Sequence, residues 1–107
     1  MPAYAVAQLR NVTMNEGLQV YVKSIDETLR PYSGRFIIHG AEKVQLEGYS
    51  AGDLIIITFP DIADARAWYH SPAYQALIPL RQQACEGELF LMNGVDENHR
   101  AIDIFSG

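Results

Sequence analysis

The stretch Gly34-Arg35-Phe36-Ile37-Ile38-His39-Gly40 decides the fold. Five strand-forming residues lie between two glycines, and side chains along a strand point alternately to opposite faces. Strict alternation puts Phe36 and Ile38 on one face, against a core, and Arg35, Ile37 and His39 on the other. The second face mixes a guanidinium, an isoleucine and an imidazole, which suits a working surface.

On the N-terminal side, Leu18, Tyr21, Val22, Ile25 and Leu29 follow the i, i+3, i+4, i+7 spacing of a helix over residues 16–29 with one buried stripe. Asn15 is its N-cap, and Pro31 and Gly34 end it. Before it, residues 3–9 alternate as a first strand, with Ala3, Ala5, Ala7 and Leu9 on one face and Tyr4, Val6 and Gln8 on the other. Small side chains on the first face let a helix approach the sheet closely.

On the C-terminal side, Val44-Gln45-Leu46-Glu47 is a short alternation before turn-forming Gly48 to Gly52, to be read as a small edge hairpin or a loop. The almost continuous β-rich run from Asp53 to Phe59 implies a central strand buried on both faces. Asp61 caps a helix through Tyr69, and Ser71-Pro72 restarts it toward Ala84, with Pro79 as a kink or stop. A last core strand covers residues 88–93. The order strand, helix, strand, strand, helix, strand is the ferredoxin-like βαββαβ of the α+β class, with a four-stranded antiparallel sheet and the helices on one face. Residues 1–95 form this domain. Residues 96–107 form a tail in which Ala101 to Phe105 alternates again, as an extra edge strand would.

The 107 residues suffice for one domain with a single core. Net charge is −5 and the eight basic residues are scattered, so a nucleic-acid partner is not expected. No apolar run approaches the roughly 18 residues of a membrane span. The start Met1-Pro2-Ala3-Tyr4 lacks signal-peptide character, so a cytoplasmic protein is expected. The lone Cys85 excludes an intrachain disulfide and reads as a small packed filler rather than a nucleophile.

Taken over all four strands, the second face collects Tyr4, Val6, Gln8, Arg35, Ile37, His39, Leu54, Ile56, Thr58, Glu88, Phe90 and Met92. It is too apolar for open water and too polar for an ordinary core. Two such sheets facing each other would cover it, so the expected partner is a second copy of the chain.

Ser33-Gly34-Arg35-Phe36, followed downstream by Trp68-Tyr69-His70-Ser71-Pro72-Ala73-Tyr74, resembles the bacterial family catalogued as domain of unknown function 1330. The resemblance covers about residues 3–95. It implies the dimeric α+β barrel superfamily, whose members include cofactor-independent oxygenases, muconolactone-isomerase-like enzymes, haem-degrading proteins and plain ligand binders. His39 departs from the family pattern, where a further basic residue is expected, and the tail is longer than usual.

For chemistry, His39 is the candidate proton carrier and Arg35, two residues away, the candidate anion clamp. Tyr4, Gln8, Thr58 and Glu88 join them as ligand-binding candidates from the same face. Trp68, Tyr69 and Tyr74 are candidates for a flat ligand, or else core anchors. The alternative for the polar set is a bracing network, with Arg35 paired to Glu88. His70 and His99 show no metal spacing with His39, there is no phosphate-binding glycine loop, and neither cofactor nor metal is expected. Two functions remain: a cofactor-independent isomerase or oxygenase acting on a small organic acid or aromatic, and a non-catalytic small-molecule binding dimer. Whether the chain is an enzyme is left open by its residues.

Overall fold

Asn15 opens the first helix by accepting the Leu18 amide at 2.9 Å, which satisfies one of the amides that a helix start leaves without a partner. That helix, α1, spans Glu16–Leu29 and buries Leu18, Ile25, Thr28 and Leu29. The computed structural model describes residues 1–105. The strands are β1 (Ala3–Arg10), β2 (Arg35–His39), β3 (Asp53–Phe59) and β4 (Glu86–Asn93). Between β3 and β4 lie α2 (Ile62–His70), α3 (Pro72–Gln75) and α4 (Ile78–Gln82). All strand pairs are antiparallel and the sheet order is β2-β3-β1-β4, which is the expected ferredoxin-like arrangement.

Register fixes the two faces. Ala5 lies opposite Ile57 on β3 and Leu91 on β4, while Val6 lies opposite Ile56 and Phe90. The first set faces the helices. There Ala3 and Ala5, both fully buried, give α2 room to lie on β1, and Ile25, Leu29, Ile57, Phe59, Ala65, Trp68 and Tyr74 complete the core. The second set faces away from the helices and leaves Ile38, Phe90 and Met92 exposed.

The helical connection between β3 and β4 breaks where its prolines demand. Asp61 caps α2 through the Asp64 amide, and Ser71 caps α3 through the Tyr74 amide. Pro79 falls in the first turn of α4, where a missing N–H costs nothing, so it starts a helix rather than ending one.

Of the two readings of the connection after β2, hairpin or loop, residues 41–52 take the second, an exposed irregular loop. Two expectations change. Ala101–Phe105 is an exposed 3-10 turn, not an edge strand; the last two residues of the 96–107 tail lie outside the described part. The second change is in β2. Phe36 pairs with Ile57 and Ile38 with Ile56, so Ile37 is an extra, unpaired residue. This is a β-bulge on an edge strand, and beyond it the faces are exchanged. His39 therefore sits opposite Ile55, on the helix side with Phe36, instead of beside Arg35. Among the described residues, no helix is long and apolar enough to cross a membrane.

Candidate functional site

The helices do not fill the space over the sheet completely. A cavity of about 290 Å³ remains between them, floored by Ala5, Ala7, Ile55 and Ile57 and walled by Leu18, Val22 and Ile25 of α1. The alanines that allow close packing at the start of β1 are too short to fill this space further along. His39, Gly40 and Asp53, where β2 passes into its loop and β3 begins, contribute to the lining together with Val12 and Met14. Phe36 and His39 stack, with ring centroids 4.4 Å apart, which holds the imidazole against the wall.

The lining also includes Trp68, Tyr74, Tyr21 and Arg81. The Trp68 indole N–H donates to Thr28 Oγ1 at 3.0 Å, and that hydroxyl donates to the Ile25 carbonyl at 2.7 Å, so the indole is locked to α1. Trp68 in turn packs on Tyr74 with the rings tilted by 35° and their centroids 4.0 Å apart. The Tyr74 and Tyr21 hydroxyls share a hydrogen bond of 2.7 Å. Burial, and then the neighbouring Tyr74, pushes the Tyr21 phenol far above the ordinary tyrosine range; the Arg81 guanidinium beside it pulls it back incompletely. Tyr21 is accordingly a neutral hydroxyl at any physiological pH.

Arg81 is buried, with 9 % of its surface exposed, and its Nε has no hydrogen-bond partner. Burial works against its charge, but the electron-rich oxygens of Tyr74 and Tyr21 outweigh that and raise its pKa. Cys85, whose thiol donates to the Arg81 carbonyl at 3.3 Å, is pushed up by burial despite that guanidinium. A thiol so protonated is a weak nucleophile, in keeping with the filler reading.

The residues singled out in the sequence divide between two places. Trp68 and Tyr74 line the cavity while also serving as core anchors, and His39 joins them across the bulge. Tyr69 packs on the core cluster outside the cavity lining. Tyr4, Gln8, Arg35, Thr58 and Glu88 lie on the face away from the helices. The pairing of Arg35 with Glu88 is ruled out within the chain, because β2 and β4 are opposite edges of the sheet. Glu88 instead takes a two-pronged bond from Arg10, at 2.9 and 2.6 Å, which holds its carboxyl below the usual range.

Tyr21 and Arg81 were not picked out as site residues. Tyr21 is hidden among the apolar stripe of α1. For Arg81 a signal exists: Tyr74, Ile78 and Arg81 continue one buried stripe at i, i+4, i+7, so a cation stands at a core position. Among the described residues, no group of three or more His, Cys, Asp or Glu could hold a metal ion.

The sequence profile described as "Domain of unknown function (DUF1330)" matches residues 2–95. The chain belongs to the DUF1330 family. No curated protein matches it. Several solved structures resemble this DUF1330 chain in fold. A protein of unknown function from Rhodopseudomonas palustris is 18% identical over 89% of this chain and 83% of its own, with a TM-score of 0.67. A dimeric ferredoxin-like protein of unknown function from a Jannaschia species is 13% identical over 88% and 100%, with a TM-score of 0.62. The cofactor-independent oxygenase SnoaB of Streptomyces nogalater is 14% identical over 92% and 98%, with a TM-score of 0.57. At these identities the likeness is one of fold: α+β and ferredoxin-like.

Proposed function

We propose that this DUF1330 protein is a homodimer, joined through the sheet face away from the helices, that takes up a small flat organic acid or aromatic in each helix–sheet cavity and acts on it without a bound cofactor, by isomerisation or oxygenation. The cavity carries the reading. An apolar hole of about 150 Å³ accepts a benzene molecule, so this one has room for about two fused rings, and its few polar groups are of the kind that fix orientation. Of these, His39 is the group suited to move a proton near neutral pH. Support for the dimer comes from the exposed Ile38, Phe90 and Met92, an apolar surface unsuited to water, and from the dimeric relative. The oxygenase among the fold relatives supports a cofactor-free reaction in this kind of scaffold.

A second reading, a non-catalytic binder, is favoured by one observation: the Tyr21 and Tyr74 hydroxyls bond each other, which leaves only His39 and Asp53 as candidate bases in the lining. The test is calorimetric binding of a panel of one- and two-ring aromatics, neutral and acidic, to the wild-type protein and to Ala7→Leu, whose larger side chain fills the floor. Binding by the wild type and its loss in the folded variant are expected. Binding that survives the filled floor, or none across the panel, overturns the cavity as the site. Oxygen uptake or a spectral change on turnover separates the enzyme from the binder. A monomer in sedimentation at micromolar concentration overturns the dimer.

A further inference from the structure

The cavity lining contains a buried cation, Arg81, that has no carboxylate in ion-pair range among the described residues, although Asp53 stands elsewhere in the lining. Among the described residues the ion pairs are Arg10 with Glu88 and Arg30 with Glu27, both at the surface, so no carboxylate answers Arg81. Its neighbours are the Tyr21 and Tyr74 hydroxyls, and its Nε donor is unsatisfied while being buried. A buried donor without a partner is disfavoured, and a buried charge without one more so. Guanidinium is also unable to escape by losing its proton. The Tyr74 and Tyr21 oxygens serve part of the guanidinium, but among the described residues nothing accepts from Nε.

We propose that Arg81, flanked by the Tyr21 and Tyr74 hydroxyls, is the recognition group for the carboxylate of a flat aromatic acid whose rings occupy the apolar part of the cavity. This rests on the cavity being the ligand site and adds the charge and headgroup of the ligand. A carboxylate matches the planar fork of a guanidinium, pairing two of its donors at once. The two phenols bond each other and stand beside the guanidinium, so one hydroxyl proton is free to turn toward an incoming oxygen. Most of the remaining lining is apolar, with His39 and Asp53 the exceptions: Ala7, Leu18, Ile25, Ile55 and Ile57 offer rings nothing to hydrogen-bond and everything to pack on. The site therefore selects an amphipathic ligand, anionic at one end only.

The test compares 2-naphthoate with 2-naphthamide, which has nearly the same shape and no charge, by calorimetry at neutral pH. The wild type should prefer the acid by about tenfold or more, the scale of a hydrogen-bonded charge. Arg81→Met should fold, since replacing an unpaired buried ion with an apolar side chain of similar length is usually neutral or stabilising. It should retain the amide and lose the preference. A second measurement needs no variant: the Arg81 Nε–H resonance of the wild type should shift on adding naphthoate and stay in place with naphthamide. Equal affinity for the two compounds, or a preference that persists in Arg81→Met, overturns the assignment while leaving the cavity as a neutral-ligand site. Binding of neither compound overturns the assignment together with the cavity reading. An unmoved Nε–H resonance at saturating naphthoate overturns the role of Arg81 by itself.

Discussion

Ser71→Ala is the most informative single change in the scaffold of the site, because Ser71 connects the two residues that its motif holds apart. Its Oγ accepts the Tyr74 amide at 3.2 Å and donates to the Trp68 carbonyl at 2.7 Å. Alanine removes both bonds with unequal consequences. The Trp68 carbonyl keeps the Ser71 backbone amide, at 3.1 Å, which any residue supplies. The Tyr74 amide loses its cap inside a buried turn. Loss of a cap costs about 1 kcal/mol, and a buried amide left unsatisfied about 1–3 kcal/mol; these describe one event and are counted once. A loss of about 2 kcal/mol follows, and for a domain of this size it should lower the melting temperature by roughly 10 °C. Ser71→Thr keeps the hydroxyl and should recover most of it. The assay is thermal unfolding by circular dichroism at one fixed protein concentration, since the proposed dimer would make melting concentration-dependent. Equal melting of alanine and threonine variants, both near wild type, would refute the capping account and with it the physical reading of the Ser-Pro-x-Tyr element.

Two further outcomes are expected. A Cβ at Gly34 would stand 2.6 Å from a Phe59 ring carbon and 2.9 Å from a Leu29 methyl, both on fully buried side chains; Gly34→Ala should therefore cost about 1–3 kcal/mol in urea unfolding, and an effect within about 0.5 kcal/mol would contradict this packing. The Glu88 carboxyl is held below its ordinary 4.5 by Arg10, so the folded form binds that proton less readily than the unfolded chain; the pair contributes above that ordinary value and is lost as pH falls through the lowered one. Glu88→Gln should melt slightly below wild type at pH 7 and alongside it in strong acid, and a gap that persists unchanged in acid would contradict the pairing.

The sheet was legible because its signals are local and redundant. The β1 alanines, the unbroken apolar run of β3 and the five residues between Gly34 and Gly40 each point to a strand, and the 3.6-residue stripe of α1 leaves no other home for Leu18, Ile25 and Leu29. The tail misled for the same reason. Ala101 to Phe105 alternates like a strand, but alternation is only permission to pair; within the single chain β2 and β4 remain the sheet edges and the segment curls into a 3-10 turn.

The site was half legible, and the bulge explains the other half. Period-two counting assigns faces reliably while strands pair residue for residue, and one extra residue reverses every assignment beyond it. Arg35 lies before Ile37 and keeps its expected face; His39 lies after it and changes. Nothing in Arg35-Phe36-Ile37-Ile38-His39 marks Ile37 as the extra residue, since an isoleucine suits a paired position equally well. The bulge lets Phe36 and His39 stack on the helix side, a contact that strict alternation forbids. Its consequence is chemical. The imidazole leaves a surface suited to a second copy of the chain and joins a cavity that already contains Arg81, Tyr21 and Tyr74. His39, expected beside Arg35, thereby shares the cavity lining with Arg81 instead, a residue 42 positions along the chain that no local pattern could connect to it.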